Sequence, residues 1–256
     1  MLISRIALAT SIALATTLAL AQAPAASTYE PQVGQEGKDV VWVPTPQTLV
    51  NKMLDMAKLT PKDFHMDLGS GDGRTVITAA KRGARSMGIE YNPDMVELAK
   101  RNAEKEGVTA RATFVKADLF ETDFSKATVI TLFLLPDINL KLRPKILNMK
   151  PGTRIVSNTF TMGDWKADET ANADNGCESS WCTALLWIVP AKVAGSYKTP
   201  QGDVTLKQEF QMLSGTMNAG GKTFALEGRV RGEEITFHAG GKNYRGRLNG
   251  QQLELK

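Results

Sequence analysis

The stretch from Phe64 to Arg74 constrains the fold more than any other part of the chain. It reads F-H-M-D-L-G-S-G-D-G-R, so a short apolar run is followed by three glycines, at Gly69, Gly71 and Gly73. The residues that follow, T-V-I-T-A-A, begin a helical pattern. The order of strand, glycine turn and helix predicts an α/β fold. At such a turn a nucleotide-like ligand can approach backbone without Cβ atoms and meet the free N–H groups of the helix.

The spacing of the glycines indicates which class of ligand fits the turn. A dinucleotide site of the G-x-G-x-x-G type needs a glycine at position 74, where this chain has Arg74, and it does not need the acid at Asp67. The pattern therefore argues against NAD and FAD. A carboxylate shortly before G-x-G-x-G suits a ligand that carries a cationic amino group.

The motif D-L-G-S-G-D-G resembles the first motif of class I S-adenosylmethionine (SAM) dependent methyltransferases. Glu90 and Asp118, at the ends of the next two predicted strands, extend the resemblance. The resemblance implies that Glu90 accepts hydrogen bonds from the ribose hydroxyls and Asp118 from the adenine amino group, while the backbone N–H of Leu119 meets a ring nitrogen. It thus implies SAM as cofactor and the following binding residues: Asp67, Gly69, Ser70, Gly71, Gly73, Glu90, Tyr91, Asp118 and Leu119.

The continuous apolar run over residues 127–135 predicts a central parallel strand that is buried on both faces. Ligands of open α/β sheets bind beyond the carboxyl ends of the strands, so we expect the methyl acceptor there. The candidates for its site are Phe133, Pro136, Asp137 and Asn139. Asp137 and Asn139 also fit a capping role on a helix predicted over 138–149. An apolar slot would lower the pKa of a lysine amine by desolvation, and its candidate walls are Val43, Phe133 and Leu135.

Within this family the chain is similar to the small protein-lysine methyltransferases that modify an ATP-synthase subunit. The similar segments are V-P-T-P at 43–46, the glycine motif, E-Y-N-P at 90–93 and L-L-P at 134–136, and the resemblance covers about 41–160. It implies methyl transfer to a protein, with lysine as a candidate, or to a small molecule. Two other readings stay open. One is an exported binding protein that holds a nucleoside-like ligand or a protein partner without methyl transfer, and the other is an adapter whose C-terminal strands do the work.

The N-terminal residues have the features of an export signal. Arg5 precedes an apolar run over 6–20, and Ala19-Leu20-Ala21 forms a cleavage site, so residues 1–21 read as a signal peptide of a periplasmic or secreted protein. The apolar run is shorter than the ~20 residues that a membrane span needs. Residues 22–39 read as a flexible leader.

Two cysteines, Cys177 and Cys182, are present in the whole chain, and in an exported protein they predict a disulfide. With two histidines in the chain we expect no metal site.

The composition changes after the predicted methyltransferase domain, which we place at 40–191. It contains a polar, turn-rich insertion at 164–180. Residues 192–256 alternate between apolar and polar positions and are interrupted by glycine pairs, which predicts a small antiparallel β-meander module. The net charge of +4 does not require a nucleic-acid partner, and we expect none.

Overall fold

The computed structural model describes residues 29–173, 177 and 180–256. These residues contain two seven-stranded sheets, and four helices flank the first of them. The predicted signal peptide and the first seven residues of the predicted leader lie outside these residues. Within the described residues no helix combines the length and the apolar character needed to cross a membrane.

The first sheet has the strand order β3-β2-β1-β4-β5-β7-β6. Strands β1 to β5 are parallel to their neighbours, whereas β7 runs antiparallel to β5, and β6 antiparallel to β7. The bounds are α1 Gln47–Met56, β1 Phe64–Leu68, α2 Arg74–Lys81, β2 Arg85–Glu90, α3 Pro93–Lys105, β3 Ala112–Lys116, β4 Val129–Leu132, α4 Pro136–Leu147, β5 Arg154–Asn158, β6 Glu169–Asn172 and β7 Thr183–Ile188. The predicted Rossmann-like sheet with flanking helices is confirmed.

Helices cover both faces of this sheet because its central strands are apolar on both sides. All four residues of β4 are buried. Successive side chains on a strand point to opposite faces, so Val129 packs in one cluster with α1 while Ile130 packs in another with α4. This three-layer arrangement leaves the carboxyl ends of the strands accessible.

The order of the strands reverses between β1 and β4, which are neighbours in the sheet. From β1 the chain continues through β2 to β3 at one edge, and from β4 it continues through β5 toward the other edge. In an open α/β sheet such a reversal creates a crevice at the carboxyl ends of the two strands. The glycine turn follows β1 and therefore lies in this crevice.

The structure differs from the sequence prediction in two elements of this sheet. The predicted insertion at 164–180 contains the strand β6, which pairs with β7 at the edge of the sheet. Its four residues are mostly exposed, so they lack the apolar alternation that reveals a half-buried strand. Helix α4 begins at Pro136, two residues before the predicted start, so Asp137 lies in its first turn.

The second sheet is an antiparallel meander in which each strand pairs with the next, in the order β14-β13-β12-β11-β10-β9-β8. Its apolar side chains form a core of their own. The ends β8 and β14 lie close together, so the sheet curls toward closure. The bounds are β8 Gly195–Thr199, β9 Gly202–Glu209, β10 Met212–Ala219, β11 Lys222–Arg231, β12 Glu234–Ala239, β13 Lys242–Asn249 and β14 Gln252–Leu255. The predicted C-terminal β module is confirmed.

The two sheets are joined near β7 by ionic and aromatic contacts. The Asp168 carboxylate, whose side chain is fully buried, pairs with Arg229 and accepts a hydrogen bond from the Ile188 N–H at 2.8 Å. The ring of Phe210 stacks on Trp165 with a centroid distance of 6.1 Å. These contacts attach the second sheet at the end of the first sheet that is remote from β3.

Candidate active site

The glycine turn holds its shape through hydrogen bonds to β2. The N–H groups of Gly69 and Ser70 both donate to the carbonyl of Ile89, at 2.9 and 3.0 Å. Gly71 has a φ of +52°, and a Cβ built on it would lie 2.7 Å from Nε1 of Trp42. A side chain at this position would therefore be strained and would collide with Trp42, so only glycine allows Trp42 to pack this closely on the turn.

A cavity lies over this turn, at the carboxyl ends of β1, β2 and β4. Eight of the nine predicted cofactor residues line it: Asp67, Gly69, Ser70, Gly71, Glu90, Tyr91, Asp118 and Leu119. The ninth, Gly73, is not part of the lining, because it faces Phe114 and Ala99 and allows α2 to approach β3 and α3. Residues 35–45, which include Trp42, also line the cavity; of these, only Val43 was predicted from the sequence to line the site, as a wall of the acceptor slot.

Asp67 presents a buried carboxylate to the cavity. The hydroxyl of Thr131 donates a hydrogen bond to its Oδ1 at 2.6 Å. Burial raises the pKa of Asp67 to about 7; the negative charges of Asp72 and Glu90 add to this rise, and the Thr131 hydrogen bond opposes it. A carboxylate in such surroundings gains from a cationic partner more than an exposed one does.

Glu90 connects the glycine turn to the start of α3. Its Oε2 accepts a hydrogen bond from the Gly71 N–H at 3.0 Å, and its Oε1 accepts one from the Asn92 N–H at 2.9 Å. Asn92 in turn caps α3 by accepting from the Asp94 N–H. Because each carboxylate oxygen has two lone pairs, Glu90 retains the capacity to accept from two ligand hydroxyls.

Asp118 is held by a residue of the predicted leader. Its Oδ2 pairs with Nζ of Lys38 at 2.6 Å, and its Oδ1 accepts from the Phe120 N–H at 2.8 Å. The ion pair with Lys38 holds the pKa of Asp118 below its usual value. The Lys38 ammonium also lies 4.9 Å from the ring centre of Tyr91. A ligand amino group that donates to Asp118 would thus share this carboxylate with Lys38.

The donor set fits an amino acid joined to a nucleoside. Asp67, Glu90 and Asp118 lie at the carboxyl ends of three neighbouring strands, β1, β2 and β3, in the order that a cationic amino group, a ribose and an adenine follow along SAM. Within the described residues the buried Oγ of Ser70, which also lines the cavity, has no hydrogen-bond partner. An orphaned hydroxyl, a closely packed glycine turn and three carboxylates are features of a ligand site rather than of a plain structural turn.

A second cavity adjoins the first, and the two share residues 36–41, Val43 and Phe133. One of its walls is a group of three rings, Phe133, Phe160 and Trp181, with centroid distances of 5.8, 5.9 and 5.3 Å. We call this group the aromatic slot. Leu135 and Val43, which were predicted to line the acceptor site, also border the second cavity.

The other acceptor candidates lie elsewhere. Pro136 and Asp137 are exposed in the first turn of α4 and line neither cavity. Asn139 is fully buried, and its Nδ2 donates to the carbonyls of Phe160 and Thr161. Asn139 thus fixes the loop after β5 and does not reach the acceptor.

Cys177 and Cys182 form a disulfide, which confirms the predicted pairing. Trp181 is the residue directly before Cys182, and the Cys182 carbonyl accepts from the Ala173 N–H at 2.7 Å. The disulfide therefore restricts the segment that supplies the third ring of the aromatic slot. Sequence reasoning connected the cysteines to export and missed this position beside the slot.

Comparison with known proteins assigns the chain to a family. Residues 67–169 match the family described as the ANTKMT methyltransferase domain. A protein-lysine N-methyltransferase of Saccharolobus islandicus is 45% identical over 153 residues, which are 59% of this chain and 94% of that protein. The chain belongs to this family of SAM-dependent methyltransferases. The family match ends before the disulfide and before the second sheet of the methyltransferase.

Two further relatives show how far the likeness extends. A lysine N-methyltransferase of Homo sapiens that is named for an ATP-synthase subunit is 33% identical over 138 residues, 49% of this chain and 59% of that protein. The crystal structure of an RNA methyltransferase from Salinibacter ruber in complex with S-adenosyl-L-homocysteine (SAH) has a TM-score of 0.55 and 44% identity, covering 59% of this chain and 96% of that one. The methyltransferase is an enzyme with SAM as its cofactor.

Proposed function

We propose that this methyltransferase transfers the methyl group of SAM to the side-chain amine of a lysine in a protein. The observation that carries the proposal is the aromatic slot, which adjoins the cofactor cavity at Phe133. Its rings suit the aliphatic stem and the cationic head of a lysine side chain. The names of the Saccharolobus islandicus and human relatives, both lysine N-methyltransferases, support the same acceptor.

The chemistry requires little from the chain beyond alignment and desolvation. SAM supplies a methyl group on a positively charged sulfonium, whose leaving group is a neutral thioether. Positioning of two reactants can contribute roughly 7–11 kcal/mol in favourable cases. The acceptor amine must be neutral when it reacts, and the apolar walls of the slot lower its pKa by desolvation. Glu36 lines the same cavity and supplies negative charge that attracts a lysine ammonium, whereas the charge of Asp39, which also lines it, is paired with Lys38 at 3.5 Å.

Replacing Trp181 with alanine should raise the KM for a lysine acceptor at least tenfold, since loss of about 1.4 kcal/mol of binding is a tenfold change. The affinity for SAH should stay unchanged, because Trp181 does not line the cofactor cavity. Trp181→Phe keeps a ring and should stay within about threefold of the wild type. Titration with SAH measures the affinity, and the rate of methylation of poly-L-lysine at varied concentrations measures the KM. Equal KM values for Trp181→Ala and the wild type would refute the role of the slot.

The acceptor class is tested by incubating the enzyme with methyl-labelled SAM and two extracts of the same cells, one of proteins and one of RNA. We expect label on the Nε of lysine, identified by mass spectrometry of peptides. Label in RNA alone would contradict the proposal and would favour the activity in the name of the Salinibacter ruber relative.

We also propose that the mature chain is exported to the periplasm or the medium after removal of residues 1–21. The apolar run with its Ala19-Leu20-Ala21 site supports export, and so does the disulfide, because disulfides persist in oxidising compartments. Mass spectrometry of cell fractions should find a chain that begins at Gln22, with Cys177 linked to Cys182. A chain that retains Met1 and has two free thiols would contradict export.

A further inference from the structure

Four buried side chains form a hydrogen-bonded chain behind the cofactor cavity, and we call it the buried relay. Oγ of Ser86 lies 2.6 Å from Nδ1 of His65, and Nε2 of His65 lies 2.8 Å from Oγ1 of Thr131. Thr131 donates to Oδ1 of Asp67 at 2.6 Å. His65, Ser86 and Thr131 are fully buried. None of these three is needed to explain the cavity itself.

Strand pairing fixes the positions of these side chains. His65 and Asp67 are two residues apart on β1, so they project from the same face of the sheet. Ser86 is paired with His65 across β1 and β2, and Thr131 is paired with Asp67 across β1 and β4. The relay is therefore built into the register of three central strands.

When Asp67 is ionised, the three hydrogen bonds of the relay can donate in one direction only. An ionised carboxylate only accepts, so the Thr131 hydroxyl donates to it, and the Thr131 oxygen must then accept from His65 Nε2–H. Burial lowers the pKa of His65 to about 3, which keeps the ring neutral with one N–H. Nδ1 of the ring therefore accepts from the Ser86 hydroxyl, and every donor in the relay points toward Asp67.

Few charged groups face the relay. Asp63 acts on His65 and is paired with Arg154, while Asp72 and Glu90 act on Asp67. The helices that pack on this face turn mainly apolar residues toward it, together with Thr75 of α2. The hydrogen bond from Thr131 is thus the strongest influence that favours the charged form of Asp67.

We propose that His65 is a positioning residue of the cofactor site, which fixes the Thr131 hydroxyl as a donor to Asp67 and thereby orients this carboxylate toward the cofactor's cationic amino group. His65 lines neither cavity and acts only through Thr131. The inference rests on the proposed role of Asp67. It explains why a chain with two histidines has one of them sealed between two hydroxyls in the centre of the sheet.

The pH dependence of SAH binding tests the relay. Thr131→Val removes the donor to Asp67, so the pH at which binding is half lost should rise by about one unit, the shift that corresponds to loss of a hydrogen bond to a charged group. Thr131→Ser keeps the hydroxyl and should restore the wild-type midpoint. His65→Leu should shift the midpoint in the same direction as Thr131→Val, and His65→Gln, which retains a donor, should shift it less. His238→Gln, at an exposed position of the second sheet, is the control.

NMR of the imidazole nitrogens tests the geometry without any ligand. With two histidines in the chain, the signals of His65 and His238 are readily separated. We expect His65 to stay uncharged from pH 5 to pH 8, and to be the Nε2–H tautomer at pH 8, where Asp67 is ionised. A His65 that carries its proton on Nδ1 at pH 8, or that becomes charged between pH 5 and pH 8, would overturn the proposal even if a substituted variant failed to fold.

The proposal would also be overturned if a stably folded Thr131→Val variant lost half of its SAH binding at the same pH as the wild type. Failure of the wild-type protein to bind SAH is a different outcome, because it would refute the cofactor site and leave the NMR result to decide on the relay.

Discussion

Asp67→Ala should weaken the binding of SAH at least ~100-fold, because truncating one partner of a buried charge pair costs about 3 kcal/mol. Binding of adenosine should be unchanged, since adenosine lacks the amino-acid part that Asp67 is proposed to bind. Isothermal titration with SAH, and competition with adenosine, measure the two affinities. Asp203→Ala removes an exposed carboxylate of the second sheet and is the matched control.

The same carboxylate predicts the effect of pH. Because the pKa of Asp67 is raised to about 7, a cationic ligand finds an ionised partner only above this pH, and SAH affinity should fall up to tenfold per unit below it. In Asp67→Asn this dependence should disappear.

The stability of the ligand-free protein should depend on pH in the opposite sense from the affinity for SAH. A raised folded-state pKa contributes stability that is present below pH ~4 and is lost as the pH rises through about 7. Ligand-free Asp67→Asn should therefore melt at a higher temperature than the wild type at pH 8. An identical pH dependence of SAH binding in Asp67→Asn and the wild type would contradict the assignment of Asp67.

Glu90→Ala should weaken the binding of both SAH and adenosine, by ~100-fold for SAH. Two hydrogen bonds from ribose hydroxyls to a charged acceptor each contribute about 1.5–3 kcal/mol. The substitution also releases the N–H groups of Gly71 and Asn92, so the glycine turn loses its connection to α3. Loss of both ligands distinguishes Glu90→Ala from Asp67→Ala.

Glu90→Gln separates the two contributions of this side chain, which are the binding of the ribose hydroxyls and the hydrogen bonds to the N–H groups of Gly71 and Asn92. Its amide oxygen can still accept from one of the two backbone N–H groups, so we expect an affinity between those of the wild type and Glu90→Ala. Thermal melting of each variant checks that the fold is retained. If folded Glu90→Ala bound adenosine as tightly as the wild type does, the ribose assignment would be wrong.

The sequence predicted the parts of the site that depend on local pattern. Asp67 and the glycines that follow it lie within one strand, turn and helix, so their placement is decided by neighbours in the chain. Glu90 and Asp118 were predictable because parallel strands bring their carboxyl ends to one edge of the sheet. These three acids meet at one cavity, as the pattern indicated.

The parts that the sequence did not predict depend on contacts between distant segments. Lys38 lies 80 residues before Asp118, and the polar composition of its segment gave no sign of this ion pair. Thr131 reads as one residue in an apolar strand, and its contact with Asp67 follows only from the register of β1 and β4. Asn139 reads as a possible acceptor residue, but the start of α4 turns it into the interior.

Titration of the wild-type protein with SAH at pH 7.5, followed by the same titration of Asp67→Ala, tests the central claim most directly. If the carboxylates at the ends of β1, β2 and β3 hold the cofactor, the wild type binds at a one-to-one ratio and Asp67→Ala binds at least ~100-fold more weakly. Absence of binding to the wild type at millimolar SAH, or equal affinity of the two proteins, would contradict the claim.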